Sequence, residues 1–334
     1  MSERIALSLL SGGLDSILAA RIVRDMPKIR VVGYYFHHPF TSTVGNDGRL
    51  DAEKQARELG IPIIVDTDNE SFIEMTKHPL HGRGKGANPC RDCRIFILKH
   101  ALKMLEMIHG DFLVSGEVLG QRPMSQVRNA LNLIEKRAGV RGILLRPLSA
   151  KILPPTLPET GGWIERDALL GFSGRGRNGQ MALADSYGIV DYPQPAGGCP
   201  LTETSFSVRY FDLLENAPDF GMIEVKSLHA GRHFRLSNGF KLIIARDEAE
   251  CEFIYRELAE KFWIIDTEEI PGPAAAIDSE PNPNELTRIG GLVASYGKAR
   301  NLSAVEMTLI SPAGERSTFT AKPLDKKDFQ GYLL

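Results

Sequence analysis

Hydrophobic residues in the first half of the chain follow two alternating spacings. Short apolar runs rich in β-branched and aromatic residues predict strands at 5–10, 31–36, 61–65 and 112–114. Between them, apolar residues recur every three or four positions, which predicts helices at 17–23, 51–59, 94–107 and 126–134. Alternating strands and helices form a parallel sheet covered by helices on both faces. The predicted fold class is therefore α/β.

The pattern changes in the last two fifths of the chain. Short apolar runs predict strands at 222–228, 234–236 and 242–245. Longer stretches of helical spacing predict helices at 248–261 and 284–296. This mixture is typical of a smaller α+β domain. We therefore predict two domains, 1–203 and 204–334.

Composition narrows the classes of protein to which the chain can belong. With 334 residues, 43% hydrophobic and 25% charged, it has the make-up of a globular protein. A net charge of −2 argues against indiscriminate coating of nucleic acid, which requires many basic side chains. No apolar run approaches the roughly 20 residues of a membrane span, and the amino terminus does not resemble a secretion signal. We expect a cytoplasmic protein without membrane association, with a homodimer as one option.

The first strand leads into a glycine-rich turn with the sequence Ser11-Gly12-Gly13-Leu14-Asp15-Ser16, followed by a helical stretch. A strand that enters a helix through glycines presents free backbone N–H groups and the positive end of the helix dipole to an anion. The turn therefore predicts a phosphate site, with hydroxyl donors at Ser11 and Ser16. A tight turn capped by Asp15 or Ser16 is the structural alternative. The Walker pattern is absent, because no Gly-Lys-Ser or Gly-Lys-Thr follows.

These six residues resemble the SGGxDS signature of the PP-loop ATP pyrophosphatases, a family that includes GMP synthetase, argininosuccinate synthetase and the tRNA thiolases. The resemblance implies ATP cleavage between the α and β phosphates and transfer of AMP to a substrate oxygen. Within the turn, Asp15 is the candidate that would hold Mg²⁺ or orient the loop, and we predict a catalytic role for it. The resemblance also implies that adenine is held at the end of the second strand, where Phe36 and His37 lie. An aromatic strand end with surface histidines is the structural alternative.

Three cysteines carry the second candidate chemistry. Cys90 and Cys93 begin a predicted helix and are flanked by Arg91 and Arg94. The helix dipole and the arginines favour thiolate, so we expect reactive thiols. Cys199 follows at a distance, in the stiff turn 196–200, which contains two glycines and ends in a proline. Cys251 lies in a helical stretch and is predicted to be a small buried hydrophobic residue.

Thiolates at 90, 93 and 199 suit two kinds of catalysis. They can bind a 4Fe-4S cluster through three irons and leave the fourth iron open. Alternatively, one thiol carries a persulfide that another attacks to form a disulfide. A structural zinc site is the third option, with a fourth ligand such as His81.

The segments after the cysteine pair bring the resemblance closer to one branch of the family. A Gly-Glu-x-Leu-Gly-Gln run from Gly116 to Gln121, and the later Arg146-Pro147-Leu148, look like those of the tRNA 4-thiouridine synthetases. Cys199-Pro200 resembles the third cluster ligand of the iron-sulfur-dependent thiolases. The resemblance covers about residues 4–200 and implies that Gly116 and Gln121 contact the nucleotide. It does not extend to the RNA-docking domains of the 4-thiouridine synthetases.

Basic residues near the cysteines suggest how RNA is bound. The loop 81–94 and the later Gly-Arg-Gly-Arg segment carry the predicted RNA-binding residues Arg83, Lys85, Arg91, Arg94, Arg175 and Arg177. A solvated loop is the alternative. The tail, with Gly231-Arg232-His233-Phe234, resembles an NFACT-type RNA-binding module.

Together these features predict an ATP-dependent tRNA sulfurtransferase that adenylates a uridine oxygen and replaces it with sulfur. The sulfur would come from sulfide or a sulfur-donor protein. Two alternatives remain at this point. One is a PP-loop enzyme that acts on a small molecule, by sulfur insertion or amide formation. The other is a non-catalytic, nucleotide-dependent RNA-binding protein whose cysteines hold zinc.

Overall fold

The structure, a computed structural model, describes residues 3–40, 50–192, 198–267 and 269–334. The chain divides into two compact units, Met1–Thr202 (unit 1) and Glu203–Leu334 (unit 2). This division lies one residue before the boundary expected from the sequence. Among the described residues, none of the helices has the length and apolar composition needed to cross a membrane.

The sheet of unit 1 is parallel and has five described strands. They are β1 (Arg4–Leu9), β2 (Ile29–Phe36), β3 (Ile63–Asp66), β4 (Phe112–Ser115) and β5 (Leu144–Leu145). Their order is β3-β2-β1-β4-β5, so the direction of winding reverses between β1 and β4. In open α/β sheets, ligands bind beyond the carboxyl ends of the strands at such a reversal. The loops after β1 and β4 are therefore the expected place for a site.

Helices pack against the sheet of unit 1. In the described ranges they are α1 (Leu14–Arg24), α2 (Asp51–Glu58), α3 (Asn69–Lys77), α4 (Cys90–Met107), α5 (Arg128–Ala138), α6 (Leu157–Thr160) and α7 (Asn178–Ser186). The side chains of α1 and α2 share one hydrophobic core with Ala6, Val31 and Phe112 of the sheet. Leu7 is also fully buried but lies outside that core, because successive residues of a strand point to opposite faces.

The ends of these helices follow from local chemistry. Asp68 caps α3 by accepting a hydrogen bond from the backbone N–H of Ser71 at 3.2 Å. Gly139 ends α5 in the left-handed region, with φ of 76°. The apolar spacing from residue 94 belongs to a helix that begins at Cys90, directly after Pro89, as the position of the cysteine pair predicted. Proline is tolerated at a helix start because it lacks only an N–H that would have no partner inside the helix.

Unit 2 contains a six-stranded antiparallel sheet. Its strands are β6 (Arg232–Arg235), β7 (Lys241–Ile244), β8 (Trp263–Thr267), β9 (Ala275–Ile277), β10 (Val305–Ile310) and β11 (Arg316–Ala321), in the order β11-β10-β8-β9-β7-β6. Its described helices are α8 (Thr204–Asn216), α9 (Met222–Ser227), α10 (Glu248–Phe253) and α11 (Pro283–Ser295). Both faces are buried: Leu242 and Ile244 point to the core with α11, whereas Ile243 points to the opposite core.

The predicted fold class is confirmed, with a parallel α/β sheet in one unit and a mixed α and β structure in the other. One predicted element is wrong, because residues 222–228 were expected to form a strand and Met222–Ser227 is helical. Glu224 caps this helix by accepting a hydrogen bond from the backbone N–H of Gly221 at 2.9 Å. Val225 and Leu228 are fully buried at a spacing of three. Short apolar runs do not distinguish a buried helical turn from a strand.

Candidate nucleotide and thiol site

The glycine-rich turn joins β1 to α1. Gly12 has φ of 84°, a conformation that side chains rarely adopt, and Gly13 stands at the helix N-cap without a capping side chain. Ser16 closes the turn: its hydroxyl donates to the carbonyl of Gly13 at 2.7 Å and accepts from the backbone N–H of Ser11 at 3.2 Å. The first amides of α1 are thus left without a side-chain cap, which suits an anion.

Two further residues hold this turn in place. The side-chain amide of Gln55, on α2, donates a short hydrogen bond to the carbonyl of Gly12. From the other side, Gly116 lies so close that an added Cβ would be 2.6 Å from the backbone nitrogen of Ser16. Gln55 had not been expected from the sequence, since a glutamine on a helix gives no signal of such a role. The turn is therefore packed between α2 and the loop that follows β4.

Asp15 is the acidic centre of the site. Its Oδ2 atom accepts a hydrogen bond from the amide of Gln121 at 2.7 Å. Its Oδ1 atom is buried and has no hydrogen-bond partner among the described residues. A buried carboxylate oxygen with an unused acceptor position is a suitable ligand for a hard cation such as Mg²⁺. The donor set therefore fits the magnesium ion expected with ATP.

Phe36 occupies a different environment from the one expected. Its ring is 5% exposed and packs against Phe72, Phe96 and His100, with centroid distances of 5.9, 5.5 and 5.0 Å. The side chain therefore belongs to the core. The neighbouring His37 is half-buried, and burial lowers the pKa of its imidazole.

Cys90 and Cys93 lie in the first turn of α4, as predicted. The side-chain amide of Asn88 contacts the sulfur of Cys90 at 2.9 Å. Burial raises the pKa of Cys93 to about 12, and the thiols of Cys199 and Cys90 add to this effect, whereas Arg94 and Arg122 oppose it. The expectation of a thiolate at Cys93 is thus corrected, because burial outweighs the helix dipole and the cations.

Cys199 directly precedes the short 3-10 helix Pro200–Thr202. Ala196 and Gly197 of the predicted turn lie outside the described residues. The thiol of Cys199 interacts electrostatically with that of Cys93, although 106 positions separate them in the sequence. All four cysteines are free of disulfides. Cys251 is partly buried, and the backbone N–H of Ala274 points to its sulfur at 3.4 Å, as suits a structural role.

A single metal ion and an iron-sulfur cluster require different arrangements of the three thiols. Within the described ranges, no group of three or more His, Cys, Asp and Glu side chains is arranged to hold a metal ion. His81, the expected fourth zinc ligand, instead contacts Asp92, with 2.8 Å between Nδ1 and Oδ1. A 4Fe-4S cluster differs from a single ion because each cysteine binds a separate iron, and the thiolate donor set suits iron. The chemistry of the three residues therefore fits a cluster better than one zinc ion.

The residues after β4 connect the glycine-rich turn to the thiols. Gly116 packs against Asp15, and the next residue, Glu117, accepts a hydrogen bond from Nε of Arg94 at 2.8 Å. Arg94 also donates to the hydroxyl of Ser115 at 2.8 Å. Because Arg94 is adjacent to Cys93 on α4, one short segment orients both halves of the site. The side chains of Arg94 and Arg146 lower the pKa of Glu117 to about 2, although its burial opposes this.

The structure distributes the predicted RNA-binding residues among different surroundings. Lys85 and Arg175 are exposed. Arg83 donates to the carbonyls of Ala87 and Lys77 and thereby shapes its own loop. Arg91 donates to the carbonyl of Met124 at 3.1 Å. Arg94 donates to Glu117, as described above, and is therefore not free for RNA. Arg177 lies 3.7 Å from Asp15.

One exposed cation near the thiols had not been predicted. Arg122 is exposed and lowers the pKa of Cys93. A sequence signal was available, since Arg122 directly follows Gln121 at the end of the Gly-Gln run. Its position adds a positive charge beside the thiols.

Comparison with protein families gives a match in unit 2. Residues 231–333 match the family described as the NFACT protein RNA binding domain. The matched range begins just before β6 and ends one residue before the end of the chain, so it includes the whole antiparallel sheet. Among curated proteins, no match to this chain is found.

Solved structures include several with weak similarity to this chain. U34-tRNA thiolase NcsA from Methanococcus maripaludis, solved with its 4Fe-4S cluster, is similar at 16% identity and a TM-score of 0.34, over 68% of this chain and 71% of that one. A 4-thiouridine synthetase in complex with RNA and ATP is similar at 24% identity and a TM-score of 0.34, over 44% of this chain. Only 37% of that synthetase is covered. The C-terminal part of the fibronectin/fibrinogen-binding protein from Streptococcus suis is similar at 13% identity and a TM-score of 0.28, over 79% and 85% of the two chains.

Proposed function

We propose that the protein is an ATP-dependent tRNA sulfurtransferase, which adenylates a uridine carbonyl oxygen and replaces it with sulfur. The observation that carries this proposal is the electrostatic interaction of Cys93 with both Cys90 and Cys199, in a unit whose glycine-rich turn suits a phosphate. A nucleotide site alone would serve many enzymes. Three neighbouring thiols supply the soft ligands or nucleophiles that sulfur transfer requires.

In the first step, ATP would lie on the turn formed by residues 11–16, with Mg²⁺ on Asp15. Gln121 orients the carboxylate of Asp15 through its hydrogen bond at 2.7 Å. The uridine oxygen attacks the α-phosphorus, a new P–O bond forms, and the bond to the bridging oxygen breaks. Pyrophosphate leaves with that electron pair, and the proton on the uridine nitrogen is released to solvent. The site contributes by positioning the reactants and neutralising charge.

In the second step, a sulfur nucleophile at the oxidation level of hydrosulfide attacks the adenylated carbon. The C–O bond breaks and AMP leaves with the electron pair, while the sulfur proton passes to the uridine nitrogen. When bound to Cys90, Cys93 and Cys199, a 4Fe-4S cluster would supply an open iron that holds this sulfur. Burial raises the pKa of Cys93, and Arg94 and Arg122 partly oppose this rise.

RNA would be bound by both units. The family match of residues 231–333 supports an RNA-binding role for the domain 204–334, and the domain 1–203 would carry the catalysis. In the catalytic domain, Lys85 and Arg175 are two of the predicted RNA-binding cations and are exposed to solvent, where they would contact phosphate. A cytoplasmic location, a homodimer and a sulfur-donor protein remain predictions.

The decisive experiment is thiolation of unmodified tRNA with ATP, Mg²⁺ and sulfide, using protein prepared without oxygen. We expect a thiolated uridine by nucleoside mass spectrometry, together with release of AMP and pyrophosphate. Cys199→Ser should abolish the product. Cys251→Ser is the matched control, because it changes a partly buried cysteine of unit 2 that the proposed chemistry does not use, and it should leave activity intact. ATP turnover stimulated by small molecules but not by tRNA, with no thionucleoside formed, would refute the proposal.

A further inference from the structure

The segment that precedes α7 is fastened to the loop after β4. The backbone N–H of Gly174 donates to the carbonyl of Leu119 at 2.8 Å, and Ser173 pairs with Leu119 as an isolated bridge. The hydroxyl of Ser149 links the same two stretches, since it accepts from the N–H of Leu119 at 3.0 Å and donates to the carbonyl of Phe172 at 2.7 Å. The residues that follow Gly174 are therefore held beside the nucleotide turn.

Beyond this attachment, the chain brings Arg177 to Asp15. The closest guanidinium nitrogen of Arg177 is 3.7 Å from Oδ2 of Asp15, and the arginine side chain is 21% exposed. A second connection lies one turn later, where the amide of Gln180 donates to Oε1 of Gln121 at 3.3 Å. Gln121 in turn donates to Asp15. Two contacts therefore hold the start of α7 beside the glycine-rich turn: that of Arg177 with Asp15 and that of Gln180 with Gln121.

The hydrogen-bonding capacity of Arg177 is unused. A nitrogen–oxygen separation of 3.7 Å attracts the two charges but is too long for a hydrogen bond. Arg177 makes no side-chain hydrogen bond to any residue that the structure describes, although a guanidinium carries five N–H donors. A largely enclosed arginine beside a glycine-rich turn is suited to a bidentate phosphate contact.

We propose that Arg177 binds the β and γ phosphates of the nucleoside triphosphate and neutralises the pyrophosphate that leaves. This inference rests on the proposed function and moves Arg177 from the RNA surface to the nucleotide site. When the α-phosphorus is attacked, the bridging oxygen takes up the electron pair of the broken bond. The guanidinium, already attracted to this place by Asp15, stabilises that added negative charge. Asp15 retains its buried Oδ1 for the cation.

Arg175 provides a matched control two residues away. It is exposed, it lies between Gly174 and Gly176, and no ion pair to it is found among the described residues. The two arginines carry the same charge and belong to the same loop. A change in the net charge of the loop therefore affects both variants equally, whereas loss of a specific phosphate contact affects only one.

The test is calorimetric titration of wild-type protein, Arg177→Ala and Arg175→Ala with ATP, AMP and inorganic pyrophosphate in the presence of Mg²⁺. Removal of one charge-assisted hydrogen bond corresponds to a roughly tenfold or greater loss of affinity. We expect this loss for ATP and pyrophosphate in Arg177→Ala, with AMP affinity unchanged. Arg175→Ala should bind all three ligands as the wild type does. Arg177→Lys keeps the charge without the planar fork and should give an intermediate loss.

Several outcomes would overturn the inference. Wild-type affinity of Arg177→Ala for ATP, combined with weaker tRNA binding, would return Arg177 to the RNA surface. An equal loss of affinity for ATP and AMP in both Arg177→Ala and Arg177→Lys, with wild-type thermal unfolding, would show that the arginine does not act on the β and γ phosphates. If wild-type protein binds no ATP, the proposed function itself fails. If wild type and Arg177→Ala bind ATP equally well, the function stands and this inference fails.

Discussion

The backbone of Gly116 lies directly against that of Asp15, where an added Cβ would be 2.5 Å from the carbonyl carbon and oxygen. The loops after β1 and β4 are therefore in van der Waals contact at the point where the winding of the sheet reverses. Contact between two backbones leaves little room for adjustment, since no flexible side chain lies between them. The shape of the nucleotide turn thus depends on the absence of a side chain at position 116.

Gly116→Ala should displace the nucleotide turn. We expect a loss of stability of about 1–3 kcal/mol from overpacking, and at least a tenfold weaker affinity for ATP. Urea unfolding and calorimetric titration measure the two effects. Gly171→Ala is the control, because an added Cβ there meets its nearest atoms at an ordinary 3.5 Å. Unchanged ATP affinity in a folded Gly116→Ala protein would mean that the turn does not bind the nucleotide.

Glu117 should contribute to stability in a way that depends on pH. Its folded pKa of about 2 is below the ordinary value of 4.5, because Arg94 and Arg146 outweigh the effect of burial. A lowered pKa stabilises the folded protein fully above about pH 4.5, and this contribution is lost as the pH falls toward 2. Its size is on the order of 3 kcal/mol.

Glu117→Gln is the variant that measures this contribution. The stability difference from wild type, from urea unfolding, should be constant between about pH 7 and 5 and should shrink below about pH 4.5. Asp219→Asn changes an exposed carboxylate and should show no such trend. A difference that does not vary with pH would indicate that Glu117 is not held as a carboxylate by the two arginines.

Metal content should depend on Cys199. Protein purified without oxygen and reconstituted with iron and sulfide is expected to contain about four irons per chain if the proposed cluster forms. Cys199→Ser should lower this value to half or less, whereas Cys251→Ser should retain it. Iron and sulfide analysis, with absorbance near 400 nm, is the measurement. Full iron loading without Cys199 would contradict a cluster held by the three thiols.

Lys85 and Arg175, two exposed cations of unit 1, should contribute to RNA affinity without affecting nucleotide binding. For Lys85→Ala combined with Arg175→Ala, we expect weaker tRNA binding and a salt dependence whose slope falls by about two, roughly one for each phosphate that is no longer neutralised. The affinity for ATP should equal that of wild type. Binding titrations at several salt concentrations test this. An unchanged slope would exclude both residues from the RNA surface.

A buried charge network should stabilise unit 2. Asp212 is buried and contacts Arg235 at 2.9 Å and Lys241 at 2.5 Å. Asp212→Ala removes the carboxylate that pairs with the buried Lys241 and leaves Arg235 with Asp278 alone, and it should cost about 3–5 kcal/mol of unfolding free energy. The exposed Asp219→Ala should change stability by about 0.5 kcal/mol or less. Similar values for the two variants in chemical denaturation would show that the network adds little.

The sequence by itself determined the features that depend on neighbouring residues. Alternating strand and helix spacing predicted the parallel sheet, because each element buries one periodic face. The sequence from Ser11 to Ser16 also predicted a turn that suits an anion, because two adjacent glycines and a helix start lie within six positions. The strand expected at 222–228 was wrong, because its short apolar run lacked a decisive period and Glu224 capped a helix instead.

Only the tertiary structure decided which distant residues meet. Gln121 and Asp15 are 106 positions apart, and their contact exists because β4 pairs with β1. The same pairing sets Glu117 beside Arg94, and the attachment of Gly174 to Leu119 directs Arg177 to the nucleotide turn rather than to solvent. Local spacing carries no information about such contacts, since they arise from strand order and close packing. The candidate chemistries were therefore predicted from residues close together in the sequence, whereas the contacts of each charged residue required the fold.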